Sequence, residues 1–334
     1  MNIYEIAKKA GVSIATVSRV INNNPNVRDE TREKVEAAIR EANYTVNDIA
    51  RSLAVKATHT IGVMTSDVRD SYYANAIYTI EQEFRNLGYN VILCNTGREL
   101  KKKKKYLKVL LEKQVDGIIL VGSVFKEPND NSHIVDTAKK VPIVMLNSYI
   151  EGSNIYSIVC DDARASFNIV EYLHKRGHRH IRYIYDVDSF SGLAKIAGFK
   201  KGMSHFKLPI DENTLIHVKS GLEGGIEAVA ALEAEGSPYT ALVASEDLIA
   251  AGIIKGLRDI GKRIPQDVSV FGFNNSTIAL CTYPELASVD NKVEDMARGA
   301  VKTLYAILNN QEVDRKKVVL PELILRDSCD YDIE

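Results

Sequence analysis

The chain has 334 residues, enough for two or three domains with a sizeable core. Charged residues make up 26% and apolar residues 45%, the ordinary balance of a folded globular protein, and a net charge of −1 points to no partner by itself. No apolar run of about eighteen residues occurs, and Glu5, Lys8 and Lys9 interrupt the start. No membrane helix or export signal is therefore expected, and a cytoplasmic protein is the default.

In chain order, residues 1–46 read as three short helices. The first carries Ile3, Ile6, Ala7 and Ala10 on one stripe and stops at Gly11. The second opens on Ser13, a good N-cap, and turns Val17, Val20 and Ile21 inward. Its outward side then holds Ile14, Ala15, Thr16 and Arg19, the way a helix-turn-helix shows side chains to a DNA groove. Asn22 to Asn26 form a turn cluster. A third helix from Asp29 buries Val35, Ala38, Ile39 and Ala42, with Tyr44 closing a thin core. Nine basic and seven acidic side chains in residues 1–57 make this segment only mildly cationic, so the pattern and not the charge marks it as a nucleic-acid binder. Residues 47–57 have helical spacing behind an Asn47 N-cap, but are too short to form a stable helix alone.

From Thr60 onward strands alternate with helices. Apolar runs at Ile61–Met64, Val91–Cys94, Gly117–Val121, Ile143–Leu146 and Ile155–Cys160 predict one set of strands. Runs at Ile181–Tyr185, Leu215–Val218, Ala241–Ala244 and Val268–Phe271 predict a second. Amphipathic stretches such as Ala74–Leu87, Tyr106–Leu111 and Ile134–Ala138 lie between them. Two such series imply two lobes, each a doubly wound parallel sheet, with a ligand cleft beyond the C-terminal strand ends. The basic run Lys101–Lys105 reads as a solvated face. The four cysteines are too dispersed for a disulfide framework or zinc site, and Gly177 separates His174 from His178 and His180, so no metal is expected. No phosphate-loop or nucleophile-elbow motif occurs, no cofactor is implied, and an enzyme is not expected.

The chain resembles the lactose-repressor family of bacterial transcription regulators. The resemblance rests on Ile6-Ala-x-x-Ala-Gly-Val-Ser-x-x-Thr-Val-Ser-Arg-Val-Ile-Asn22, then Glu30-Thr-Arg32, Asn43-Tyr44 and Asn47-x-x-Ala-Arg-x-Leu53. It continues through Val115-Asp-Gly-Ile-Ile119, Gly177-His-Arg-x-Ile181, Ala197-Gly-Phe199, Ile264-Pro-x-Asp-Val-Ser-Val-x-Gly-Phe273 and Pro284-x-Leu286. Ile14 to Arg19 and Asn24-Pro-Asn-Val27 look most like the catabolite control proteins of Gram-positive bacteria. The fold implied is an all-α helix-turn-helix headpiece on an α/β periplasmic-binding-protein-like core of two doubly wound parallel-sheet lobes. The expected boundaries are a headpiece at 1–46, a hinge helix at 47–57 and a core at 58–334. Within the core the N-lobe takes about 58–160 and 290–320, and the C-lobe about 161–289 and 321–330.

For DNA, Ile14 and Ala15 suit thymine methyls, Arg19 suits a guanine edge, and Ser13, Thr16, Ser18 and Asn22 suit phosphates. The resemblance implies that paired hinge segments enter the minor groove and wedge Leu53 into a central C-G step, with Ala50 small enough for the groove floor. Tyr44 and Asn47 complete the expected DNA contacts. The partners implied are a homodimer, a pseudo-palindromic double-stranded operator and a small-molecule effector, with no membrane role. By resemblance, effector contacts come from Asp67, Tyr72, Tyr73, Asn147, Ser189, Ser191, Lys195, Ser220, Asp247 and Asn274. Lys195 stands where an arginine is usual, and Asn147 and Asn274 where aspartates are common. These exchanges lead to the expectation of a sugar or sugar derivative that is either anionic or less rich in hydroxyls. Two rival readings are a regulator controlled by a phosphorylated carrier protein through Val293–Leu308, which carries Glu294 where those relatives have a tyrosine, and a solute-binding protein without a DNA role.

Overall fold

The computed structural model describes residues 3–21, 24–42 and 58–329. The sites predicted at Asn22, Tyr44, Asn47, Ala50 and Leu53, and the hinge helix, lie outside the described residues. The chain divides into two units, Met1–Thr58 and His59–Glu334.

The small unit contains helices α1 (Ile3–Ala10), α2 (Ile14–Ile21) and α3 (Asp29–Glu41). Ile6, Ala7, Val17, Val20, Val35 and Ala38 form its core, with Ala10, Ile21, Ile39 and Ala42 packed around it. These are the positions that the helical spacing turns inward. Gly11 makes the sharp turn between α1 and α2 at φ +66, with open space around it, so backbone freedom and not crowding calls for glycine there.

The large unit begins with β1 (Thr60–Thr65), α4 (Ser71–Asn86), β2 (Asn90–Asn95), α5 (Leu100–Glu112) and β3 (Gly117–Val121). It goes on through α6 (Ser132–Ala138), β4 (Ile143–Leu146) and β5 (Ile155–Cys160). Then come α7 (Asp162–Lys175), β6 (Ile181–Tyr185), α8 (Phe190–His205), β7 (Leu215–His217), α9 (Leu222–Glu235), β8 (Ala241–Ala244), α10 (Asp247–Asp259) and β9 (Ser269–Phe271). It closes with α11 (Thr277–Cys281), β10 (Ser288–Asp290), α12 (Val293–Leu308), β11 (Lys316–Val319) and β12 (Glu322–Ile324).

Two parallel sheets result. The N-lobe sheet runs β11-β5-β4-β3-β1-β2 and the C-lobe sheet β7-β6-β8-β9. Strands β3 and β4 are buried along their whole length, which is why they read as unbroken apolar runs. Strand order reverses beside β1 in the first sheet and beside β6 in the second. Ligands in doubly wound sheets bind beyond the strand ends at such points.

One surface expectation fails. Lys103 within the basic run is buried, and its ammonium pairs with Glu127 at 2.7 Å and donates to the Val124 carbonyl. The helix places this one lysine of the run on its inner face, where it anchors the segment after β3. Lys101, Lys102 and Lys104 are exposed as expected.

Candidate nucleic-acid interface and effector cleft

Ser13 caps α2: its hydroxyl accepts from the Thr16 amide at 3.2 Å and bonds to the Thr16 hydroxyl at 2.9 Å. With Val17 and Val20 fixed in the core, helical geometry leaves Ile14, Ala15 and Arg19 exposed and Thr16 and Ser18 half-buried. Ile14 is 40% exposed and so is available to an apolar partner outside the unit. Arg19 makes no ion pair among the described residues. The face therefore offers an apolar patch, short hydroxyls and one long forked donor within a little over one turn.

In the large unit, two adjoining cavities open at the C-terminal strand ends of both sheets. The inner one is lined by Tyr72, Asn147, Ser189, Ser191 and Lys195 together with Ser123, Ser245 and Asn291. The outer one is lined by Asp67, Ser220 and Asp247 together with Ser66 and Arg69. Six residues face both: Asp70, Tyr73 and Arg98 from the N-lobe, and Asp186, Glu246 and Asn274 from the C-lobe. These form the neck of the cleft. All ten predicted effector residues thus line one or other cavity.

Several of those ten are already engaged. Asn147, held at φ 51, accepts from the Cys160 amide at 3.0 Å and donates to Asp162 at 3.1 Å. Ser191 donates to the same Asp162 carboxylate. Burial of Asp162 raises its pKa, and Lys195 and these hydrogen bonds oppose the rise. Asp247 accepts from the Ser276 amide and the Ser288 hydroxyl, both at 2.6 Å, and is 2% exposed. It braces the loop after β9 and has little left to offer a ligand. Asp67 is paired with Arg69 at 2.6 Å, which holds its pKa at about 2. Ser220 donates to Asp186 at 2.6 Å. Ser189 caps α8 by accepting from the Gly192 amide. Tyr72 and Tyr73 meet edge to face at 5.3 Å, and a Cβ on Gly122 would come within 2.4 Å of the Tyr73 ring, so glycine lets that ring lie flat on the segment after β3.

Contacts also cross the cleft. Arg98 reaches Asp186 at 3.7 Å, the Ser123 hydroxyl donates to Ser189 at 2.9 Å, and Lys126 lies 4.5 Å over the Phe190 ring.

Over 333 residues the chain is 44% identical to an HTH-type transcriptional regulator of Lachnoclostridium phytofermentans, across 99% of this chain and 100% of that protein. The chain belongs to the lacI family of bacterial regulatory proteins. Residues 2–47 match that family by its description, and residues 170–329 match a periplasmic binding protein-like domain. Catabolite control protein A of Priestia megaterium is 35% identical over 97% of each chain. The crystal structure of the lac repressor dimer bound to operator and the anti-inducer ONPF is similar at a TM-score of 0.87 and 26% identity, covering 98% of each chain. This member is accordingly a DNA-binding transcription regulator and not an enzyme.

Reading the sequence as a lacI-family member names the cleft loops, with Asp70 inside the stretch Asp67 to Tyr73, but misses Arg98, Asp186 and Glu246 at the neck. Asp70, Arg98, Asp186 and Glu246 each follow a strand end, so the rule that ligands gather at strand ends could have found them. They also bear on the expectation of an anionic effector, which rested on the loss of carboxylates from the cleft. The amides at Asn147 and Asn274 remove two carboxylates, yet Asp70, Asp186 and Glu246 put three at the neck. Both nearby cations are committed: Arg98 to Asp186, and Lys195, whose ammonium donates to the Ser245 carbonyl at 2.9 Å and lies 3.7 Å over the Phe273 ring. Glu246 is accordingly pushed up to about 8, mainly by burial and then by Asp186 and Asp70, with Lys195 opposing.

Proposed function

We propose that this regulator binds a pseudo-palindromic operator as a homodimer and represses transcription, and that a sugar-like effector in the inter-lobe cleft switches it. The exposed face of α2 carries this reading. Ile14 and Ala15 would meet thymine methyls, Arg19 a guanine edge, and Ser13, Thr16 and Ser18 phosphates, with Asn22 and Tyr44 extending the contact. Residues 47–57 would form the hinge in the minor groove, with Asn47 capping, Ala50 on the groove floor and Leu53 wedged into a central C-G step. Similarity to a repressor dimer bound to operator supports both parts. Two-fold symmetry doubles the contacts of a reading unit too small to be specific alone.

Control by a phosphorylated carrier protein finds little support on α12. Arg298, one of its two exposed cations with Lys302, is ringed by Glu83, Glu294 and Asp295 at 3.5–3.6 Å, an acidic setting for a phosphoryl group.

Selection of bound sequences from a random duplex pool, followed by footprinting, tests the proposal. Sites with dyad symmetry about a C-G step are expected, and sites without dyad symmetry would overturn it. Leu53→Ala should weaken operator binding while calorimetric effector affinity stays as it was. Equal loss of both would refute the separation of roles.

A further inference from the structure

The neck of the cleft has more carboxylates than it can satisfy. Asp186 is supplied by Arg98, Ser220 and the Ser245 hydroxyl. Asp70 spends one oxygen on the Tyr72 amide, capping α4 at 2.8 Å, and no partner is present for the other among the described residues. Glu246 occupies the N-cap position of α10, where its carbonyl accepts from the Ala250 amide at 3.1 Å, but its carboxylate makes no cap bond and accepts no hydrogen bond from any described residue. One under-supplied carboxylate therefore comes from each lobe, on opposite walls of the neck. A second, independent observation lies in the inner cavity. Tyr72 is 9% exposed and Asn291 1%, and both line that cavity. The Tyr72 hydroxyl and the Asn291 carbonyl oxygen have no hydrogen-bond partner among the described residues. Buried polar groups left without partners are costly, and the half-buried carboxylates of Asp70 and Glu246 are held at the mouth of the same cavity.

We propose that the effector carries a protonated amine, held between Asp70 of the N-lobe and Glu246 of the C-lobe, with its hydroxyl-bearing part turned toward Tyr72 and Asn291. The ligand class is an amino sugar or amino polyol. This rests on the inter-lobe cleft being the effector site. A neutral sugar would bring no charge to the pair, whereas a cation would favour the ionised form of both carboxyls. An ammonium group offers three donors and a charge that attracts both walls, so its binding also draws the lobes together.

Isothermal titration of the full-length protein tests the proposal, with glucosamine, galactosamine and mannosamine each set against its parent hexose and its N-acetyl derivative at pH 7. At least one amine should bind about tenfold or more tightly than both its neutral counterparts, the worth of a charge-assisted bond. Proton release, read by repeating the titration in buffers of different ionisation enthalpy, should accompany it. Glu246→Gln keeps the shape, and Asp70→Asn keeps the helix cap because asparagine caps as well as aspartate. In both variants the affinities for amine and hexose should converge to within about twofold, with melting curves confirming that the variants fold. Neutral hexoses binding as tightly as the amines would overturn the amine while leaving the cleft as the effector site. If binding were instead indifferent to Lys195→Ala and Asn274→Ala, or absent for every sugar, both readings would fall.

Discussion

Arg19 stands where a side chain either reads a base or merely holds a phosphate, and the two roles separate experimentally. A bidentate guanine contact is worth about 1–3 kcal/mol of discrimination. Arg19→Ala should therefore lower operator affinity by about ten- to a hundredfold and relax the preference at one base pair in each half-site. Uniform weakening across all sequences, with a shallower salt dependence, would assign it to phosphate instead. Lys103 is the other residue whose neighbours decide its role. Its 3% exposed side chain and the 18% exposed Glu127 form a pair under the Phe125 ring, where removing one charge strands the other. Lys103→Met should lower core stability by about 2 kcal/mol or more in urea unfolding, and a change under about 0.5 kcal/mol would class it with surface pairs. The segment it anchors carries Ser123 and Lys126, two of the side chains that touch the opposite lobe.

Between α1 and α2 a single turn orients the reading helix, and two residues make it. Gly11 at φ +66 has room for a methyl, so Gly11→Ala costs only backbone strain, about 1 kcal/mol, and Ser13→Ala removes a cap worth about 1 kcal/mol. Scanning calorimetry should show the headpiece transition lowered in both variants and the core transition unmoved. A shift in the core alone would mean the turn does not belong to the headpiece's own stability. Elements of this kind were legible in sequence where packing writes a period. Strands β3 and β4 match their predicted bounds because parallel strands buried on both faces are bare apolar runs. Helices α4 and α5 begin earlier than predicted: the first turn of α4 turns Tyr72 inward behind the Asp70 cap, and that of α5 turns Lys103 inward, a charged residue that writes no apolar stripe. The cleft loops were legible from the strand-end rule, but the choice of side chain within them was not. Glu246 and Asp247 are neighbours, and only the turn into α10 decides that the first faces the cleft while the second braces Ser276 and Ser288.

At the scale of the whole core, the neck makes lobe closure sensitive to protons. Glu246 faces Asp70 and Arg98 from the N-lobe and Asp186, Lys195 and Asp247 from its own, and its pKa stands at about 8 against an ordinary 4.5. Asp70 is raised as well, chiefly by burial. A carboxyl whose folded-state pKa lies above its free value binds more protons folded than unfolded, so stability falls as pH rises between the two values. Below about 4.5 Glu246 contributes no difference, and above about 8 its full penalty is present. Opening the cleft exposes the same carboxyl to water and relieves the same penalty, so alkaline solution should favour the open core. Small-angle scattering of the unliganded protein should show a radius of gyration that grows from pH 6 to pH 9, and the melting temperature should fall over that range. Glu246→Gln, which cannot ionise, should flatten both curves. A wild-type core whose size and melting point ignore pH in this window would remove the neck carboxylates from any part in closure.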